Sequence, residues 1–112
     1  MKQIDPKTLH GWISDGQELA LIDAREDGEF GAEHLFWAVP FGMAHRETRA
    51  HTLLPRKSVR VCVTDDGRGL ATTLATWLEA NGYTDVAVLT GGTKAWKDAG
   101  NVIFSEIGRA HV

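Results

Sequence analysis

Residues 59–69, Val59-Arg60-Val61-Cys62-Val63-Thr64-Asp65-Asp66-Gly67-Arg68-Gly69, constrain the fold more than any other stretch of this chain. The apolar run reads as a buried strand and the Asp-Asp-Gly cluster as a tight turn. A helix follows from about Leu70 to Ala80, with Leu70, Leu74, Trp77 and Leu78 on its inward face. A strand end feeding a helix start is where α/β proteins place chemistry, because unpaired backbone N–H groups and the helix dipole converge there on an anion. Here the turn carries two aspartates and no nucleophile. The only cysteine, Cys62, sits back inside the strand. The functional question is therefore whether the chain is an enzyme or the shell of one.

The rest of the chain continues the alternation. Asp5-Pro6 starts a helix, with Asp as N-cap and Pro in the first turn, and Leu9, Trp12 and Ile13 share its apolar face. Asp15-Gly16 ends it. Leu19–Ala24 reads as a buried parallel strand, residues 27–31 as a helical turn, and Ala38–Phe41 as a brief strand that Pro40 places near an edge. Residues 43–54 read as an exposed helix, and residues 55–58 as a turn. Gly82 caps the helix that begins at Leu70, Val86–Leu89 is the last strand, and Thr93–Ala99 is a short helix around Trp96. Strands alternating with helices imply an α/β fold of three layers, with a central, mainly parallel sheet of about five strands. Thr64–Arg68, Arg25 and Gly91-Gly92 should meet at the carboxyl ends of its strands.

Composition narrows the class. The 112 residues suit one small domain. A net charge of −3 without a basic run favours neither nucleic acid nor an anionic membrane. No stretch approaches a membrane span, and Met1–Pro6 lacks the apolar region of a signal peptide, so a cytoplasmic setting is expected. His45 and His51 lack a third ligand, so no metal is expected, and no cofactor motif is present. Residues 1–105 form the domain. Residues 106–112, Glu106-Ile107-Gly108-Arg109-Ala110-His111-Val112, can be encoded by GAG ATC GGA AGA GCA CAC GTC, which resembles the start of a common sequencing adapter. We read this tail as non-native and expect it to be unstructured, with the natural gene continuing past Ser105.

Leu21-Ile22-Asp23-Ala24-Arg25-Glu26, with Glu29-Phe30 and His34-Leu35, resembles the first signature of the rhodanese superfamily. Leu89-Thr90-Gly91-Gly92 with Ala95-Trp96 resembles its closing signature, and the resemblance runs from about Ile4 to Gly100. It implies a rhodanese-like fold and sulfurtransferase chemistry. A cysteine at the strand end takes a sulfane sulfur from a donor such as thiosulfate and passes it to a thiophilic acceptor. In the usual motif an arginine lies five residues after that cysteine. Counting back from Arg68 gives Val63; anchoring on Trp77 and its helix gives Asp65. Neither is a thiol. The stretch Asp65–Ala71, with Gly82–Val86 after it, resembles the cysteine-less modules of tandem rhodanese-like proteins. That resemblance implies further rhodanese-like modules of the same polypeptide as partners, beside a sulfur donor or acceptor.

Each candidate also has a plain structural reading. Cys62 to Arg68 has the C-x5-R spacing of phosphatase-type loops, which makes Cys62 the alternative nucleophile of a free-standing sulfurtransferase or phosphatase-like enzyme. Against this, a strand-interior cysteine between valines is ordinarily a small buried hydrophobe, and adjacent carboxylates repel an anionic substrate. Asp65 and Asp66 are expected to cap the helix from Arg68 onward, filling the anion site with the chain's own charge. An acidic or empty site is also compatible with a regulatory binding module. By the resemblance, Asp23, Arg25, Glu29 and His34 organise the segment after the second strand, with Glu29 as a partner for Arg25, while Gly91 and Gly92 form the closing turn. Trp12, Trp77 and Trp96 are expected in the core, and Trp37 partly exposed, where it can meet a neighbouring module.

Overall fold

The computed structural model describes residues 1–26, 33–104 and 110–111. The expected turn at residues 27–31 lies outside them, as does Glu29. The elements are β1 (Lys2–Ile4), α1 (Pro6–Ser14), β2 (Ala20–Asp23), β3 (His34–Leu35), β4 (Val39–Pro40), a 3-10 turn (Met43–His45), α2 (Arg46–Leu53), β5 (Val61–Thr64), α3 (Leu70–Ala80), β6 (Val86–Leu89), α4 (Gly92–Asp98), β7 (Ile103–Phe104) and β8 (Ala110–His111). The main sheet has five strands in the order β1-β6-β5-β2-β4, and every pairing in it is parallel.

Side chains alternate across that sheet, as the two-residue strand period requires. Ile22, Val63 and Val88 lie in register on one face, with Leu74, Leu78, Phe41 and Leu54 from the helical side packed against them. Leu21, Cys62 and Ala87 lie in register on the other face, with Leu9, Trp96 and Leu35. Both faces are therefore covered, which is why these strands read as apolar runs and not as alternating ones.

α1 begins as its sequence dictates: Asp5 Oδ1 accepts from the Thr8 N–H at 2.8 Å, and Pro6 fills the first helical position. Hydrogen bonds from the Thr8 side chain and backbone hold the Asp5 carboxyl below its ordinary pKa. At the amino end of the sheet the Arg60 guanidinium pairs with Asp15 at 2.8 Å and lies over the Trp12 ring, 4.8 Å from its centroid. Trp12 and Trp77 are half-buried under cations, not core residues as expected; Arg46 lies over Trp77. An indole at a helix edge covers apolar surface with one face and attracts a cation to the other. Trp96 is fully buried and donates from Nε1 to the Val102 carbonyl.

A second, three-stranded antiparallel sheet, β3-β7-β8, was not foreseen. Its strands have two residues each, too few to show a period. β8 also corrects one expectation: Ala110 and His111 of the tail pair with Phe104 and Ile103, so that part of the tail is structured. Among the described residues no helix is long and apolar enough to cross a membrane.

Candidate functional site

The site grows from the end of β5. Thr64 is the last strand residue, opposite Asp23 of β2, and the backbone turns at Asp65. Asp65 is buried, with 3% of its surface exposed. Its carboxylate is occupied by the chain itself. Oδ1 accepts from the Gly67 N–H at 2.6 Å and Oδ2 from the Ala71 N–H at 2.7 Å. Ala71 is the second residue of α3, one of the helix positions that has no intrahelical acceptor. α3 starts at Leu70, as expected, and its Ala71 N–H is capped by a carboxylate six residues back in the chain. Gly69, at the N-cap position, supplies only a left-handed backbone (φ +96°). Asp66 makes a smaller version of the same turn: Oδ1 accepts from the Arg68 N–H at 3.1 Å, and Oδ2 lies 2.5 Å from Arg68 Nε.

The turn after β6 closes over this loop. The Thr93 N–H donates to the Asp65 carbonyl at 2.7 Å. Gly92 has φ +61°, and a Cβ there would stand 2.4 Å from the Asp65 carbonyl oxygen and 2.8 Å from Oδ1. Only glycine lets the two loops approach this closely. Gly91, also at positive φ, precedes α4.

After β2, Asp23 and Arg25 form a buried bidentate pair, Nε to Oδ1 at 2.9 Å and Nη2 to Oδ2 at 2.8 Å. Arg25 also donates to the Glu33 carbonyl at 2.6 Å, tying the β2 end to the start of β3. Both charges are satisfied within the fold, the condition under which a buried ion pair is tolerated. His34 is buried in β3, with Nδ1 2.8 Å from the Leu35 carbonyl. A half-open cleft of about 270 Å³ lies beside the loop, lined by Arg25, Glu33, Asp66, Thr93, Lys94, Lys97 and Asp98. Two of its cations are paired, Lys97 with Glu33 at 3.0 Å and Lys94 with Asp98, one turn on in α4, at 2.6 Å.

Cys62 stands apart from all of this. It lies in the middle of β5, fully buried between Leu21 and Ala87 in the cluster on the α1 and α4 side. Burial pushes its thiol pKa up to about 12, so the thiolate is suppressed at neutral pH. The turn that would have to wrap an anion for a C-x5-R loop begins only after Thr64, beyond the reach of a thiol facing the strand's covered side. The structure thus brings together Thr64, Asp65, Asp66, Gly67, Arg25, Gly91 and Gly92, and leaves Cys62 outside. Thr93, which the sequence reading did not single out, joins the loop through its backbone; its position directly after Gly91-Gly92 was the available signal. Among the described residues no group of three His, Cys, Asp or Glu could hold a metal ion.

A family model described as a rhodanese-like domain matches residues 5–99. Among solved structures, a thiosulfate sulfurtransferase from Pseudomonas aeruginosa superposes with a TM-score of 0.89 at 33% identity, over 95% of this chain and 20% of that one. The Alr3790 protein from Anabaena sp. superposes with a TM-score of 0.85 at 24% identity, over 93% of each chain. SseA from Escherichia coli, described with the fold and mechanism of 3-mercaptopyruvate sulfotransferases, gives 0.76 at 20% identity over 92% of this chain and 51% of its own. The last two likenesses speak to the fold alone. The chain spans a fifth of the length of the Pseudomonas protein. No curated protein sequence matches it.

Proposed function

The chain belongs to the rhodanese-like family, whose fold it has, and from that premise we propose that it is a non-catalytic rhodanese-like module that works beside an active one in a longer, sulfurtransferase-type polypeptide. The observation that carries this reading is the identity and state of Asp65. Sulfur transfer through a covalent intermediate needs a thiolate at the strand end, stabilised by backbone N–H donors. In this chain those donors, the N–H groups of Gly67 and Ala71, are aimed at a carboxylate. A carboxylate forms no persulfide, and its own charge fills the place an incoming anion would take. The only thiol in the chain is buried in the strand with its pKa raised. A cytoplasmic setting goes with this reading.

The test is steady-state sulfur transfer from thiosulfate to cyanide by the purified chain, with Cys62→Ser in parallel. No thiocyanate above the buffer rate is expected from either protein. Turnover by the wild-type chain that disappears in Cys62→Ser would make it an enzyme and refute the module reading.

A further inference from the structure

One buried side chain beside the loop does nothing for the fold. Thr93 has 5% of its surface exposed, and its N–H closes on the Asp65 carbonyl. Its hydroxyl, buried with it, has no hydrogen-bond partner among the described residues. Buried polar groups are almost always paired, and an orphan carries a desolvation cost that only a partner offsets. Thr93 lines the cleft of about 270 Å³ beside the loop. Lys97 also lines it and follows one turn on in α4, so the two side chains share a helix face. Lys97 pairs there with Glu33, and both side chains are close to half exposed. Exposed pairs of this kind hold little free energy and exchange partners at small cost.

We propose that this cleft binds a small zwitterion of the α-amino acid class, with its carboxylate on the Thr93 hydroxyl and Lys97 and its ammonium on Glu33. The inference goes beyond the module reading and does not depend on it. The charges of the cleft select the ligand. Arg25 is committed to the buried Asp23, and Asp66 pairs with Arg68. What remains is two lysines and two carboxylates, Lys97 with Glu33 and Lys94 with Asp98. So balanced a lining has no net attraction for a lone anion, and the buried Asp65 carboxylate in the adjoining loop repels one. A zwitterion that enters between Lys97 and Glu33 leaves every charge paired, the condition for taking charges out of water. It also supplies the acceptor that the Thr93 hydroxyl lacks. The volume falls just below the roughly 300–1,000 Å³ of pockets for drug-sized ligands, so the ligand is small.

The test is an NMR titration of the isotope-labelled chain with glycine, L-alanine and L-serine, and in parallel with acetate, methylamine and thiosulfate. Saturable shifts of the Thr93, Lys94 and Lys97 amides are expected with the three zwitterions, and weaker binding with the three single-charge or dianionic probes. Thr93→Val keeps the shape of the side chain and the backbone N–H. It should weaken zwitterion binding about tenfold or more, the size of a lost hydrogen bond to a charged group. Glu33→Gln, at a half-exposed position, should also weaken it and carries the test if Thr93→Val does not fold, which circular dichroism checks. No saturable shift with any zwitterion at up to about 10 mM overturns the proposal. So does acetate or thiosulfate binding as tightly as the zwitterions, or an affinity that a folded variant leaves unchanged. Such a failure leaves the non-catalytic reading standing, since that reading is tested by sulfur transfer; turnover through Cys62 would remove it whatever the titration shows.

Discussion

The loop after β5 and the edge at β4 treat exposure in opposite ways. At the loop, a turn that could offer two backbone N–H groups to a ligand gives them to Asp65, and Gly92 seals the arrangement from above. At the edge, Trp37, Val39 and Leu53 are left uncovered although burying them would be favourable. A fold that satisfies its reactive corner internally and keeps an apolar face open has its free energy of interaction available at the face. The difference is the physical ground of the proposed non-catalytic reading: the corner is satisfied from within, and the edge is not.

Substitutions separate the two regions by size of effect. Gly92→Ala should be the most damaging, at about 3 kcal/mol, because a methyl group meets the Asp65 carbonyl and the residue must hold a positive φ. Urea denaturation measures it, and a loss below about 1 kcal/mol would mean the two loops are not locked together. Asp65→Ala should cost about 2 kcal/mol, since the N–H groups of Gly67 and Ala71 both lose a charged acceptor. An unchanged melting temperature would show that the carboxylate does not hold the loop.

A smaller, pH-dependent effect belongs to the amino end. The hydrogen bonds from Arg60 hold the Asp15 carboxyl below its ordinary 3.8. The stability this pair contributes is therefore complete above 3.8 and is lost as pH falls through the lower, folded value. The gap in denaturation midpoint between the wild type and Asp15→Asn should shrink on acidification; a gap that grows would reverse the sign. The least change is expected at the β4 edge. Trp37→Ser in the isolated chain should alter stability by less than about 0.5 kcal/mol, as exposed positions do. A large loss would place Trp37 in this domain's own core and close the contrast between the regions.

Much of this architecture was legible in the residues. β2, β5 and β6 show as apolar runs because both sheet faces are covered; α1 shows through Leu9, Trp12 and Ile13 and its Asp5-Pro6 start, and α3 through its spaced leucines. The short strands β1, β3, β7 and β8 did not show. They are too brief for a period, and their pairing depends on chain brought from distant parts of the sequence, as with Lys2 and Ala87. Trp12 and Trp77 sit on apolar helix faces, yet Arg60 and Arg46 meet them from outside; a helical spacing does not reveal which edge of the stripe faces a cation. At the site, the absence of a thiol and the presence of aspartates were plain. That Asp65 would reach six residues forward to Ala71, past a left-handed Gly69, depends on the path of the loop in space.

The central proposal is that this domain carries no sulfur: the residue at the end of β5 is the buried carboxylate Asp65, and Cys62 is buried within the strand. The most direct measurement is the intact mass of the native chain after incubation with excess thiosulfate at neutral pH, followed by cyanide. The expected result is a mass unchanged at both stages. A gain of one sulfur atom that cyanide removes, and that Cys62→Ser abolishes, would contradict the claim.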